Sequence, residues 1–350
     1  MKKYLSILFQ SSILAVFCYF IYIFPIQILL NWGLAKKVPT QNLIFSTLLL
    51  SACLSYYFKT KTQSKLLKLL SNLGIGSFYL IALSCVSILI LNQFYALNNT
   101  INSISSIFLS SILIGISKYN GSKITVKNLA IKSKLIKKSV SFVFISDVHL
   151  GSQPTNYLNT VLKKVSLEQP DFLLIGGDLI DNSAVNINDL SEFKSISYPI
   201  YFVTGNHDHY LKNSQEILSK LANVGIKWLN NTSILQNKLT IIGVNDNQSV
   251  AKQTKYITKH IKQNTFNIAI VHKPTCFDSL NKKPDLMLCG HTHNGQTFPF
   301  NYLVKLAFPK SYGLYKEKSK YLYVSSGVGT WGPRMRLGTK NEIVKITLNP

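Results

Sequence analysis

No aspartate or glutamate occurs before Asp147. All 14 acidic residues lie at or beyond that position, whereas the first 146 residues hold 15 of the 38 lysines and arginines. The rest of the chain is therefore only mildly basic, and the formal charge of +24 is not by itself a nucleic-acid signature. Cysteine is scarce. Of five, Cys18, Cys53 and Cys85 sit in apolar segments, and Cys276 and Cys289 have no framework spacing, which excludes a disulfide scaffold. There is no internal repeat and no low-complexity tract. The later part also lacks the interleaved aromatic and basic runs that stack on and track a single strand, so no nucleic-acid partner is expected.

What the first third has instead is long apolar sequence. Tyr4 to Leu30 is almost unbroken and exceeds the roughly 20 residues a helix needs to cross a bilayer; Leu73 to Leu91 is a second strong run. Leu43 to Phe58 and Ile101 to Ile116 are shorter, at 16 residues each, and read either as spans or as interfacial helices. A cleaved signal peptide is disfavoured, because the first run is too long and no small-x-small site follows it. Lysines set the orientation. Lys2 and Lys3, then Lys59, Lys61, Lys65 and Lys68, then seven between Lys118 and Lys138 alternate with a loop holding Lys36 and Lys37 and a loop holding none. With four spans, the excess of positive charge on the cytoplasmic side predicts an integral, multi-pass protein with both termini in the cytoplasm. If one weak segment fails to cross, the C-terminal part lies on the other side.

These observations divide the chain into a membrane domain of about four helices over 1–117, a basic connector over 118–139 and a catalytic domain over 140–350. The connector, "KYNGSKITVKNLAIKSKLIKKSV", is either a solvated link with a strand-like core or a patch held against anionic headgroups. From Val140 onward, short apolar runs alternate with helix-like stretches such as Asn156 to Glu168 and Asn213 to Asn223. Apolar runs of that length, closed by Gly, Asn or Asp, are how strands buried on both faces read, which predicts an α/β domain.

Five of those strands stop on side chains that carry chemistry. The blocks are "SDVHL" at Ser146 to Leu150, "GGDLID" at Gly176 to Asp181, "TGNHD" at Thr204 to Asp208, "IVHKP" at Ile270 to Pro274 and "CGHTH" at Cys289 to His293. In open α/β sheets the strand ends converge on one crevice, so polar groups there can meet in space. Four histidines, two aspartates and one asparagine form a mixed nitrogen and oxygen donor set, suited to Mn, Fe or Zn rather than to Ca or Mg.

Taken in order, the blocks D-x-H, G-D-x-x-D, G-N-H-D, a lone His and G-H-x-H resemble the calcineurin-like metallophosphoesterases, over residues 140 to 350. The apolar helices ahead of them resemble that family's membrane-attached branch. The resemblance implies a β-sandwich flanked by helices, preceded here by an α-helical transmembrane region. It also implies two divalent metal ions: Asp147, His149, Asp178 and His293 around one, and Asp178, Asn206, His272 and His291 around the other. A hydroxide bridging the two would attack phosphorus, and His207 resembles the family's leaving-group acid. Asp181 either orients His207 or caps the next turn, and Asp208 is structural. His209 either touches substrate or lies on the surface; His260 reads as an exposed helix position.

The closing segment "SSGVGTWGPRMRLG" also resembles this branch. Its Arg334 and Arg336 either pair with phosphate oxygens or are surface charges near a membrane, and Trp331 is a core residue or an interface anchor. The expected function is hydrolysis of a phosphate ester, a phosphodiester or pyrophosphate, on a phosphorylated small molecule or a lipid. The alternatives are a dimetal nuclease and a catalytically inactive membrane sensor or scaffold.

Overall fold

The structure is a computed structural model that describes residues 2–60, 64–154, 156–236 and 238–350, and Lys61 of the second basic loop lies outside them. The chain forms two compact units, Met1–Lys118 and Tyr119–Pro350.

In the first unit, three helices among the described residues are long and apolar enough to cross a membrane: α1 over Phe9–Leu34, α3 over Lys65–Tyr95 and α4 over Asn99–Ser122. The segment between them, α2 over Thr40–Thr60, is a 21-residue helix that does not join this set. Its first turn is Thr40, Gln41 and Asn42, ahead of the leucine run. Among the described residues, three candidate spans thus stand beside this further apolar helix. Within α1 the ladder widens into a π-turn over Tyr19–Ile23, just ahead of Pro25, which has no N–H to offer the preceding turn. Tyr22 uses the altered geometry. Its hydroxyl donates to the Leu70 carbonyl at 2.6 Å, and its ring lies where a Cβ on Gly74 would meet the hydroxyl at 1.8 Å.

The second unit is a sandwich of two six-stranded sheets. The first runs in the order β1 (Ile124–Lys132), β12 (Asn341–Asn349), β2 (Val140–Ile145), β3 (Leu173–Gly176), β4 (Ile200–Val203), β5 (Ile226–Trp228). The second runs β10 (Gly313–Glu317), β11 (Lys320–Val324), β9 (Leu286–Cys289), β8 (Phe266–Val271), β7 (Leu239–Val244), β6 (Thr232–Gln236). Neighbours from β2 to β5 are parallel, as are β7, β8 and β9. The strands that end on functional residues therefore all discharge at one end of the sandwich.

Both faces of these strands are covered, which is why they read as unbroken apolar runs. In β2, Phe142 and Phe144 point into the core between the sheets, while Val143 and Ile145 face the layer holding α5 (Asn156–Leu167). Two short helices, α6 (Asn206–Tyr210) and α7 (Ser214–Lys220), follow β4, and on the far face α8 (Val250–His260) packs its Ile257 against Ile242 and Val244 of β7. The stretch 118–139 is not a free connector. It contains the end of α4 and then β1, which pairs in parallel with β12 over nine residues, and only Lys123 separates helix from strand.

Phe172 is stacked on Phe142 with ring centroids 4.7 Å apart and planes within 11°, and both are buried between the sheets. Truncating Phe172 to alanine removes a ring that nothing nearby can replace, so denaturant unfolding of the full chain in detergent is expected to show a loss of about 3–5 kcal/mol.

Candidate metal centre

Seven side chains emerge at the common strand end. Asp147 and His149 follow β2, Asp178 follows β3, Asn206 follows β4, His272 follows β8, and His291 and His293 follow β9. Asp147, His149 and His293 form one cluster and Asp178, His272 and His291 another, each with ligand atoms within 4.8 Å of one another. His149 Nε2 lies 3.0 Å from His293 Nε2, and His293 Nε2 lies 3.6 Å from Asp147 Oδ1. Asp178 stands between the clusters: its Oδ2 is 3.2 Å from His272 Nε2 and 3.9 Å from His149 Nε2. A third cluster joins His149, Asp181 and His207.

The backbone is bent to bring these groups together. Asp147, His149, Asp178, His291 and His293 all have left-handed φ values, between 49° and 75°. Such a conformation is uncommon outside glycine and persists only where the surroundings impose it. Glycines allow the close approaches: a Cβ on Gly290 would lie 2.4 Å from Asp147 Oδ2, and one on Gly177, at φ +91°, would lie 2.6 Å from the Gly205 nitrogen. Asp208 holds the assembly. One of its carboxylate oxygens accepts from the backbone N–H groups of Asp178 and Gly205, the other from Leu179 and Ile180, at 2.8–3.0 Å.

The donor set fits divalent cations. His272 Nδ1 donates to the Gly176 carbonyl at 2.8 Å, which can only accept, so its Nε2 is the atom left to face the centre. That Nε2 and the Asn206 Oδ1 are buried and have no hydrogen-bond partner among the described residues. Burial of polar atoms without partners is costly unless something else satisfies them. Burial pushes Asp147 up, as does the nearby Asp178 carboxylate. For Asp178, burial acts the same way but is outweighed by His272 and His149, which hold it below the usual carboxylate range. The same attraction overcomes burial at His272 and lifts it to about 10. Burial lowers His291 to about 3, with His272 adding to the effect, and it takes His293 well below its ordinary value. Two neutral imidazoles beside two carboxylates are what a cation needs as ligands.

His207 lies toward solvent, with 22% of its side chain exposed against none for His149. Its Nδ1 meets Asp181 Oδ1 at 2.5 Å, and its backbone N–H donates to Asp178 Oδ1 at 2.8 Å. The other oxygen of Asp181 accepts from the Ser152 hydroxyl, a contact that no sequence pattern announced. Burial opposes ionisation of Asp181, yet the bonds from His149 and His207 keep its carboxyl depressed. His209 is turned away, its Nε2 within 3.0 Å of both Asn245 Oδ1 and Thr204 Oγ1. His260 stacks on Tyr256 of α8 at 3.9 Å.

Arg334 and Arg336 differ. Arg334 is exposed, its guanidinium 4.8 Å above the Tyr157 ring. Arg336 is fully buried and donates to the carbonyls of His293, Ser326 and Gly329, to Asn341 Oδ1 and to Thr339 Oγ1, so its five N–H groups are all engaged within the protein. The expectation that it pairs with substrate is corrected: burial lowers it only to about 10, and as a cation it pins the closing segment to the His293 turn. Trp331, 45% exposed, is not a core residue.

Residues 140–295 match the family described as calcineurin-like phosphoesterase. An uncharacterized metallophosphoesterase of Campylobacter jejuni is 35% identical over 261 residues, covering 70% of this chain and 69% of that protein. The chain belongs to the calcineurin-like metallophosphoesterases. An uncharacterized metallophosphoesterase of Aquifex aeolicus is 31% identical and is covered over 91% of its length by 64% of this chain. A zebrafish protein, Danio rerio "Transmembrane protein with metallophosphoesterase domain", is 31% identical over 59% of this chain and 52% of its own length. As a member of that family the chain is a metal-dependent phosphoester hydrolase, with residues that can bind metal at the strand ends.

The strap made by Asp208 gives a test of how this metallophosphoesterase holds its centre. In an Asp208→Asn variant, either orientation of the amide sets its NH₂ against two backbone N–H groups, leaving buried donors unpaired at about 1–3 kcal/mol each. A lowered melting temperature together with reduced metal content per chain is expected; a variant that matches wild type in both would show the strap to be dispensable.

Proposed function

We propose that this chain hydrolyses a phosphodiester or pyrophosphate on an amphiphilic, lipid-linked substrate, using two divalent cations drawn from Mn, Fe and Zn. The observation that carries the reading is the convergence of seven donors, with His272 Nε2 and Asn206 Oδ1 buried without a hydrogen-bond partner among the described residues and His272 Nε2 facing Asp178 Oδ2 at 3.2 Å. Asp147, His149, Asp178 and His293 would hold one cation; Asp178, Asn206, His272 and His291 would hold the other. When bound there, such a pair supplies Lewis acidity toward the phosphoryl oxygens and a water ionised near neutral pH.

The chain's own residues supply position and a proton. His207 stands at the exposed edge of the donor cluster, anchored by Asp181 on one ring nitrogen and turning the other outward. An imidazole so held can protonate a departing alkoxide, with Asp181 fixing the orientation of its ring. The apolar first unit supports a substrate that is itself partly in the membrane, because it keeps the hydrolase beside lipid. A nuclease gains no support from a domain without an aromatic and basic track.

Replacing Asp178 with asparagine removes the carboxylate shared by both clusters, so metal content and phosphodiesterase activity are both expected to fall to background; unchanged values would refute the site. The His207→Gln variant is expected to lose about 10²–10⁴-fold in kcat on alkyl phosphodiesters and far less on p-nitrophenyl esters, whose leaving group needs no proton. Equal losses on both would remove His207 from the acid role. A reporter fused after Pro350 reads the side of the membrane: four spans predict cytoplasmic signal and three predict the opposite.

A further inference from the structure

The helix after the G-H-x-H turn is exposed along its length. This helix, α9 over Phe300–Ala307, reads FNYLVKLA and buries none of its residues. Leu306 is 81% exposed, Tyr302 59% and Leu303 55%. Trp331 of the closing segment, 45% exposed, is tied to the loop ahead of this helix, since Gln296 bridges to its backbone by two hydrogen bonds of 3.0 Å, from Gln296 Nε2 to the Trp331 carbonyl and from the Trp331 N–H to Gln296 Oε1. Phe298, between them, donates its N–H to the Leu337 carbonyl at 2.9 Å, and its ring lies 6.0 Å from that of Tyr302. Scattered exposed apolar side chains need no explanation, but a contiguous aromatic and aliphatic surface on one helix and its neighbouring loop marks an interaction site.

Charge chooses the partner. From residue 286 to 316 there is no aspartate or glutamate, while Lys305, Lys310 and Lys316 are present. Lys305 lies over the Tyr302 ring at 5.8 Å, and Lys310 pairs with Asp278. Aromatic and leucine side chains with lysines on the flank are the composition of a helix that lies in a bilayer interface, where rings sit at headgroup depth and lysines reach anionic phosphates. The same chain carries three helices able to cross a membrane, and one residue, Lys123, joins the last of them to β1.

We propose that α9 and Trp331 form a membrane-interface foot that seats the catalytic domain on an anionic lipid surface. This rests on the reading that the first unit crosses the bilayer. The foot is coupled to the site. A Cβ on Gly295 would lie 2.4 Å from Asn301 Cα, so the metal-ligand turn and α9 touch backbone to backbone, and the Phe308 ring just beyond the helix stands 5.2 Å from His291. Seating α9 at the headgroup level thus brings the strand ends to the depth at which a lipid-borne phosphate lies.

The test uses the full chain reconstituted in vesicles of phosphatidylcholine and phosphatidylglycerol. A tryptophan is introduced as Leu306→Trp on the foot or, in a control, as Leu167→Trp, equally open at 79% exposure but at the end of α5 that leads back to the start of β3, away from the site. With lipids brominated near the headgroup end of their chains, the emission added at position 306 is expected to fall by about half or more, as for a side chain 5–10 Å into the interface. The emission added at position 167 is expected to stay unchanged. Absence of quenching at 306 in vesicles that retain the protein through a carbonate wash overturns the foot, including the case in which a second copy or a soluble protein covers α9. Loss of the protein in that wash overturns the membrane reading, and the foot with it. A Leu303→Glu, Leu306→Glu double variant adds a functional arm: its turnover of a water-soluble aryl phosphodiester is expected to equal wild type while KM for a vesicle-borne phosphodiester rises about tenfold, as lost interfacial contacts imply. An unchanged KM on vesicles counts against the foot.

Discussion

Two carboxylates and four imidazoles buried at one end of a sandwich cannot be neutral toward each other, and the rest of the catalytic domain is organised around that fact. Asp147 and Asp178 are almost fully excluded from water and face one another across His149 and His272. In an interior of low dielectric, such an arrangement is costly unless a cation compensates it. The left-handed backbone at five ligand positions, the glycine contacts at Gly177 and Gly290 and the four N–H bonds into Asp208 hold the donors where mutual repulsion would otherwise spread them.

The two sheets share this task unequally. One sheet supplies Asp147, His149, Asp178 and Asn206, and the other supplies His272, His291 and His293. The centre is therefore completed only when the sheets pack, and the core that fixes their separation, with Phe142, Phe144 and Leu288 within it, also fixes the distance between metal-ligand clusters. Arg336 ties the closing segment to the same turn as His293, and Gln296 ties Trp331 to it. The turn that bears His293, the closing segment and the exposed helix are thus tied to one another.

The legible parts were those with a local signature. The runs "VSFVFIS", "DFLLIGG", "IYFVTGN", "FNIAIVH" and "DLMLCGH" became β2, β3, β4, β8 and β9, because burial on both faces leaves an unbroken apolar record. The donor types at their ends were equally visible, since parallel strands must deliver their C-termini to one place. The stretch 118–139 was harder. Its lysines suggested a link, yet β1 buries Ile124 in one core and Ile131 in the other, at the edge of a sheet whose partner, β12, lies more than 200 residues away.

Arg336 shows where local reading ends. Arg334 and Arg336 stand two apart in the same glycine-rich segment and look alike as anion partners, yet one is exposed and the other has all five N–H groups engaged inside the protein. The chain's own letters determined which elements form, which face of each is apolar and which donor chemistry sits at each strand end, because those depend on periodicity and residue type over short windows. Tertiary structure alone decided that Asp208 is a strap, that Arg336 is a pin and that α9 is left uncovered. Each of those outcomes depends on what a distant segment brings to within a few ångströms, and no short window contains that information.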